Sequence, residues 1–278
     1  MEIKYLGTAA SEGIPALFCD CETCRRSMKL GGKNIRTRNQ AIIDNSLLID
    51  FPADTYMHFL KHKIPMTKIK TCIITHSHED HLYPDEIIMR KTDCFAHVDS
   101  GEALTFYCTE SGYNMLCKVT EKNHIPDRDV RVKKIEPFEA FETEGYKITP
   151  MRAIHDPKSS PVIFAIEKDG KSIFYANDTA QICEETMDCL KKFKKPFNVV
   201  SFDCTWANNP NYDGGHMNFK QNIEFRDEFI KCGIANKDTV FITNHFSHNS
   251  KDVVYDDFLK IANEYGFTVA YDGMEIKF

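Results

Sequence analysis

The densest chemistry in the chain is the run Thr75-His76-Ser77-His78-Glu79-Asp80-His81. His76, His78, Asp80 and His81 bring three imidazoles and a carboxylate into six residues, directly after the apolar, β-branched run Thr71 to Thr75. A buried strand followed by a loop can wrap such residues around an ion. Imidazole with carboxylate suits zinc, and carboxylate-rich sites also accept manganese or iron. Four ligands this close cannot crowd one metal in good geometry and still leave an open position, which points to two adjacent metals.

A second constellation is Cys19-Asp20-Cys21-Glu22-Thr23-Cys24. Its three thiolates can converge on one tetrahedral zinc at about 2.3 Å, with a fourth position left to fill. His248, three residues beyond His245 in Thr243-Asn244-His245-Phe246-Ser247-His248, is the candidate, facing away from the catalytic pair. A closed set of Cys19, Cys21, Cys24 and His248 leaves no position for water or substrate, so it is read as a structural zinc.

The run His76-Ser77-His78-Glu79-Asp80-His81 resembles the H-x-H-x-D-H signature of the metallo-β-lactamase superfamily. That resemblance implies an α/β (α+β) fold, an αββα sandwich of two mixed β-sheets flanked by helices, with a dinuclear metal site at its edge. One domain of this kind is expected over 1–278. The superfamily supplies its remaining ligands later, and matching positions stand in the same order. His155 follows Ile148 to Ile154, Asp178 follows Phe174-Tyr175-Ala176-Asn177, and His245 follows Val240-Phe241-Ile242-Thr243-Asn244. The resemblance implies that His76, His78 and His155 hold one ion, that Asp80, His81 and His245 hold the other, and that Asp178 bridges. The opening Leu6-Gly7-Thr8-Ala9-Ala10-Ser11-Glu12-Gly13-Ile14-Pro15, the cysteine triplet and His245-x-x-His248 look like the phosphoribosyl 1,2-cyclic phosphate phosphodiesterases and their close relatives. In those proteins the cysteines and the late histidine bind an extra zinc. The expected cofactors are therefore two divalent ions, zinc or manganese, and one structural zinc.

The implied activity is metal-dependent hydrolysis of a small phosphodiester, a cyclic ribosyl phosphate being the model. Two divalent cations about 3.5 to 4 Å apart can share a water, lower its pKa and stabilise charge on the phosphate. The hydroxide they hold attacks phosphorus in line, with Asp80 orienting as well as ligating. His216, in Asp213-Gly214-Gly215-His216-Met217-Asn218, is the candidate proton donor to the leaving oxygen. Glycines before it allow a tight loop, and Phe219 to Lys231 reads as a helix, so it is expected at a helix N-terminus near the anion. Asp203 and Thr205 end another strand and are candidates for lining the pocket. A tRNA 3′-processing-type nuclease and a glyoxalase-like thioesterase are the alternatives on the same metal core. The first normally carries a basic arm and the second a helical appendage, and neither pattern occurs here. β-Lactam hydrolases generally lack a histidine after the motif aspartate, where this chain has His81.

These residues need elements to position them. Strand-like runs occur at Ile3 to Leu6, Ala41 to Ile43, Leu47 to Phe51, Thr71 to Thr75, Phe95 to Val98, Ile148 to Ile154, Val162 to Glu167, Ser172 to Ala176, Phe197 to Phe202, Val240 to Thr243 and Val269 to Tyr271. Helical periodicity appears near Asp54 to His62, Pro84 to Lys91, Gln181 to Phe193, Phe219 to Lys231 and Lys251 to Glu264. Asp169-Gly170 and Asp272-Gly273 read as hairpin turns. Gly101 to Lys134 is the least regular stretch and reads as an inserted cap over a site.

The 278 residues, 42% hydrophobic and 27% charged, are enough for a large core without disulfide staples. A formal charge of −6 excludes a bulk positive field for a nucleic-acid backbone, so the expected partner is a small phosphate ester. No secretory pattern opens the chain and no stretch of about 18 apolar residues occurs, which argues against membrane association. A cytoplasmic location with reduced cysteines is the expectation, and a homodimer is left open. The other eight cysteines read as small hydrophobes, and His58, His62, His97 and His124 as surface or core residues.

Overall fold

The structure, a computed structural model, describes residues 1–98, 101–209 and 215–278. Two seven-stranded mixed sheets face each other. The first contains β1 (Glu2–Gly7), β2 (Gln40–Ile43), β3 (Leu47–Ile49), β4 (Thr71–Ile73), β5 (Leu104–Cys108) and β6 (Val130–Lys134). The second contains β7 (Phe141–Thr143), β8 (Tyr146–Arg152), β9 (Val162–Lys168), β10 (Lys171–Ala176), β11 (Val199–Asp203), β12 (Val240–Asn244) and β13 (Phe267–Val269). The last strand, β14 (Glu275–Lys277), returns to the first sheet, giving the orders β14-β1-β2-β3-β4-β5-β6 and β13-β12-β11-β10-β9-β8-β7. In each sheet antiparallel pairing at one end gives way to parallel pairing, β3 with β4 in the first and β10 with β11 in the second.

Strand periodicity divides the core into layers, because successive side chains point to opposite faces. Ile3, Tyr5, Ile43 and Ile49 of the first sheet meet Ile148, Phe164, Ile166 and Tyr175 of the second to form the inter-sheet core. Their neighbours Leu6, Ile42 and Leu48 point outward and pack with Leu116 and Val119 of helix α3 (Glu110–Lys122). On the far side, Phe174, Val200 and Phe202 pack with residues of α4 (Glu184–Leu190), α5 (Phe219–Lys231) and α6 (Tyr255–Glu264). Burying a phenylalanine such as Phe164 or Phe174, both fully enclosed, stabilises the fold by about 1.5–3 kcal/mol. Helix–sheet–sheet–helix is the αββα order expected. Helices α1 (Glu22–Leu30) and α2 (Thr55–His62) complete the set, and no described helix is long and apolar enough to cross a membrane.

Several local expectations are corrected. Phe95 to Val98 forms no strand; residues 92–95 turn and 96–98 are irregular, with Phe95 exposed. Gly101 to Lys134 is not a cap: it is the β5-α3-β6 unit, a parallel crossover that extends the first sheet. Asp169-Gly170 does turn the β9–β10 hairpin, both residues at positive φ. Asp272-Gly273, by contrast, carries the chain from β13 in the second sheet to β14 in the first. Pro84 to Lys91 is 3-10 rather than α-helical, over Pro84–Arg90. Cys94 and Cys232 are exposed and do not act as core hydrophobes.

Candidate metal centre

The loop after β4 is set by Asp50, which follows β3 at φ 67°. Its Oδ1 accepts the Thr75 N–H at 2.8 Å and the Thr75 hydroxyl at 2.9 Å, anchoring the start of the loop. The N–H groups of His81 and Leu82 then donate to the His78 carbonyl at 2.9 and 2.8 Å, folding the loop back on itself. As a result the His76 ring lies 4.6 Å from that of His78 and 4.2 Å from that of His81. His155 arrives from the end of β8, with its Nε2 3.2 Å from His78 Nδ1, and His76 Nε2 lies 3.0 Å from the same atom. These three nitrogens could hold one ion.

Asp178 and His245 each follow a strand of the second sheet, β10 and β12, at φ 53° and 63°. A left-handed backbone at a non-glycine residue costs on the order of 1–3 kcal/mol and persists only where the surroundings enforce it. Here it turns the side chain sideways off the strand end into the site. Asp178 Oδ2 lies 3.2 Å from His76 Nε2 and 2.6 Å from His81 Nε2, so one carboxylate touches both groups. Asp80, His81, Asp178 and His245 could hold a second ion.

The donors fit cations better than they fit one another. His81 Nε2, His245 Nε2 and Asp178 Oδ1 are buried without a hydrogen-bond partner, although charged or polar groups stand close by. They converge on shared points instead of being aligned donor to acceptor. Asp80 and Asp178 are buried, and every ion pair described for them is with a histidine. Buried carboxylates without strong counter-charges call for metal or for paired protons. Burial opposes charge on His81, yet Asp178, Asp80 and Asp50 hold its pKa well above the ordinary range, while burial and His81 push His76 well below it. Burial likewise opposes charge on Asp178, but His245 and His81 hold its carboxyl well below the usual range.

Each ligand imidazole is also held from behind through its other nitrogen. His76 Nδ1 meets Thr75 Oγ1 at 3.1 Å, His81 Nδ1 meets Asp50 Oδ2 at 2.7 Å, His155 Nδ1 meets the Gly215 carbonyl at 3.0 Å, and His245 Nδ1 meets Thr205 Oγ1 at 2.8 Å. Such contacts fix ring orientation and raise ligand basicity. Asp50 was not legible as part of the site, because Leu48-Ile49-Asp50-Phe51 reads only as the end of an apolar strand.

His216 closes one wall. Burial opposes its charge, but Asp203 at 3.0 Å and Asp178 at 3.2 Å outweigh that and push its pKa up to about 11. Asp203, Asp178, His216 and His245 form another group with metal-ligand spacing. There His216 Nδ1 lies 3.0 Å from Asp203 Oδ2 and His245 Nδ1 lies 2.8 Å from Thr205 Oγ1. His216 stands two residues before Asn218, whose capping box with Gln221 starts α5. Gly215, at φ 70°, precedes it, while Asp213 and Gly214 lie outside the described residues.

The second cluster assembles around the start of α1. Cys21 caps that helix, its Sγ accepting the Cys24 N–H at 3.4 Å, and His248 Nδ1 lies 3.6 Å from the same sulfur. Cys24 Sγ accepts the Ala16 N–H at 3.3 Å. Cys19, Cys21, Cys24 and His248 could hold an ion together. Burial opposes charge on Cys21, yet His248 and the Cys24 N–H bring it down to about 6, whereas burial drives Cys24 up to about 12. The metal ligand is the thiolate, and a cation would favour that form at both sulfurs. Glu12 joins the two regions: its carboxylate takes the Ser247 hydroxyl, lies 3.7 Å from His248 Nε2, and borders the cavity beside the histidine cluster.

That cavity, about 510 Å³, is lined by His78, Asp80, His155, Asp178, His216 and His245 together with Arg38 and Trp206. A larger hollow of about 880 Å³ lies by the Gly145 and Gly170 turns and has no histidine among its described lining residues. The chemistry places the site in the smaller cavity.

The family model of the Beta-lactamase superfamily domain matches residues 46–231, about two-thirds of the chain. The chain belongs to the β-lactamase superfamily. Its two mixed sheets with flanking helices are the metallo-β-lactamase fold that the H-x-H-x-D-H run implied. A solved diphosphatase from the PhnP family superposes with a TM-score of 0.76 at 21% identity, over 100% of this chain and 97% of that one. Zn²⁺-bound PqqB from Methylobacterium extorquens does so at 0.72 and 17% identity, over 100% of both chains. Human tRNase Z, short form, gives 0.65 and 15%, over 100% of this chain and 99% of that one. These likenesses show the fold. Among curated proteins, an octanoyltransferase of Porphyromonas gingivalis strain W83 is 26% identical over 278 residues, 99% of this chain and 51% of the relative. The chain spans about half the length of that relative.

Proposed function

We propose that this superfamily hydrolase is a metal-dependent phosphodiesterase that opens a small phosphodiester, with a cyclic ribosyl phosphate as the substrate model. His76, His78 and His155 would hold one ion, and Asp80, His81 and His245 with Asp178 the other. Cys19, Cys21, Cys24 and His248 would hold a structural zinc. Two zinc or manganese ions, when bound, activate water and neutralise the phosphate. The observation that carries the reading is His216 on the wall of the same cavity, with Nδ1 on Asp203. That contact leaves Nε2 to hand a proton to the departing sugar oxygen. With its raised pKa the imidazole stays protonated at neutral pH, and a sugar alkoxide is more basic still. Asp203 also accepts the N–H groups of Thr205 and Met217, at 2.9 and 3.1 Å, so the carboxylate that orients His216 is itself fixed.

Residues 1–278 act as one catalytic unit in this reading, since the cysteine cluster near one end closes on His248 near the other. None of the eleven cysteines is disulfide-bonded, which supports placing the protein in the reducing cytoplasm. The test is hydrolysis by metal-quantified protein of an aryl phosphodiester, a 2′,3′-cyclic nucleotide, a ribosyl 1,2-cyclic phosphate and a thioester. Chelator-sensitive turnover of the diesters, with the ribosyl cyclic phosphate favoured in kcat/KM, is expected. Turnover confined to the thioester overturns the proposal.

A further inference from the structure

His78 differs from the other four ligand histidines. Its Nδ1 turns into the cluster, 3.0 Å from His76 Nε2 and 3.2 Å from His155 Nε2, and its Nε2 therefore points outward. There it meets Asp156 Oδ2 at 3.3 Å. We infer that Asp156 is a positioning residue for the ion held by His76, His78 and His155, acting through His78 to set how tightly that ion is bound. The inference rests on the three-histidine reading proposed above.

The carboxylate is built for this role by its own local structure. Its Oδ1 accepts the Lys158 N–H at 3.0 Å, capping the 3-10 turn Pro157–Ser159, so Oδ2 is left for His78. The turn is pinned twice more: Ser159 Oγ donates to the Asp156 carbonyl at 2.7 Å, and Thr109 Oγ1 donates to the Ser160 carbonyl at 2.6 Å. Asp156 thus faces His78 from a fixed frame. A carboxylate behind a metal-bound imidazole holds its ring and raises its basicity, and losing such a partner typically costs 10- to 100-fold in metal affinity.

His81 with Asp50 is the matching carboxylate pair at the other ion, and the two pairs differ in exposure. His81 and Asp50 are fully buried, whereas the His78 and Asp156 side chains are 38% and 40% exposed. Water competes for the His78–Asp156 contact and not for the other. The three-histidine ion is consequently the one whose retention depends on a solvent-facing carboxylate.

Asp156→Asn separates this role from capping, because an asparagine oxygen still accepts the Lys158 N–H while the negative charge is removed. Zinc affinity of the two catalytic positions is measured by competition with a chromophoric chelator, alongside the melting temperature of the metal-free protein. The expected result is a 10- to 100-fold weaker affinity for one catalytic ion, an unchanged second ion, and an unchanged metal-free melting temperature. Affinities within twofold of the parent overturn the inference. His155→Ala serves as the reference: if it loses an ion and Asp156→Asn does not, only the Asp156 role fails. If His155→Ala keeps both ions, the three-histidine site itself fails.

Discussion

Asp203 Oδ2 stands 3.0 Å from His216 Nδ1, joining the last residue of β11 to the loop that enters α5. If this pair delivers the proton, His216→Ala slows esters with poor leaving groups by about 10²–10⁴-fold and activated aryl esters far less. Asp203→Asn shares the pattern at smaller size. The pH sign follows from the raised pKa: His216 loses its proton only as pH rises through about 11, above its ordinary 6.5. Removing the Asp203 charge moves that alkaline loss toward neutrality. Equal losses on both ester classes remove the donor role, and pH–rate profiles of the two variants check it.

Asp80 is buried between His81 and His245, its Oδ2 3.3 and 3.9 Å from their Nε2 atoms. Asp80→Asn keeps the shape and removes an anionic ligand. Loss of phosphodiester turnover by at least about 10³-fold, with the circular dichroism of the parent, is expected if the cations supply most of the charge stabilisation. Near-normal turnover would rule out the dinuclear mechanism.

Cys21→Ser tests the other cluster. The sulfur is both the cap of α1 and the atom nearest His248. A structural zinc contributes folding free energy directly, so the variant is expected to lose one zinc per chain and several degrees of Tm, at roughly 2–4 °C per kcal/mol. Metal analysis and thermal unfolding decide it; an unchanged zinc count and Tm argue against the cluster.

Acid sensitivity is expected from His58. It sits between Gln40 Oε1 at 2.6 Å and Thr37 Oγ1 at 2.7 Å, and burial, with the nearby charges of His62 and Lys61, brings its pKa down to about 3. The folded state therefore keeps His58 neutral while the unfolded chain takes up a proton below about 6.5. Its contribution is present above that value and is lost as pH falls toward 3, at up to about 1.4 kcal/mol per pH unit. Between pH 7.5 and 5, His58→Gln is expected to lose less Tm than the parent. An equal loss in both refutes this origin.

Trp206 is the only tryptophan of the chain, and its ring lies 6.1 Å from that of His216 on the cavity wall. Its emission is expected to change when zinc is added to chelator-treated protein, and to respond less in His216→Ala. Titration by fluorescence checks this without any substrate.

The helix at Phe219–Lys231 was legible to the residue, because Asn218 and Gln221 form a capping box and the apolar spacing begins there. Helix α1 was not: Glu-Thr-Cys-Arg-Arg-Ser-Met-Lys-Leu has few apolar residues, and its start is capped by Cys21, a residue type outside the usual caps. The β5-α3-β6 unit reads as irregular chain from sequence because α3 buries only Gly112, Leu116 and Val119, a narrow stripe among charged residues. Asp272-Gly273 was a turn as read, but turn chemistry says nothing about which sheet the next strand joins.

The candidate ligand types could be read from the sequence alone, because spacing within six residues and strand-end positions are local properties. His76, His78, Asp80 and His81 needed nothing beyond their own run, and the family likeness supplied the order of His155, Asp178 and His245. Which nitrogen of each imidazole faces the candidate site was decided only in three dimensions. Asp50, Asp156, Asp203 and Thr205 meet ring nitrogens of His81, His78, His216 and His245, and they come from 13 to 78 positions away in the chain. Hydrogen bonds across such separations depend on how two sheets face each other, and that is set by the packing of Tyr5, Ile49, Phe164 and Tyr175 between them.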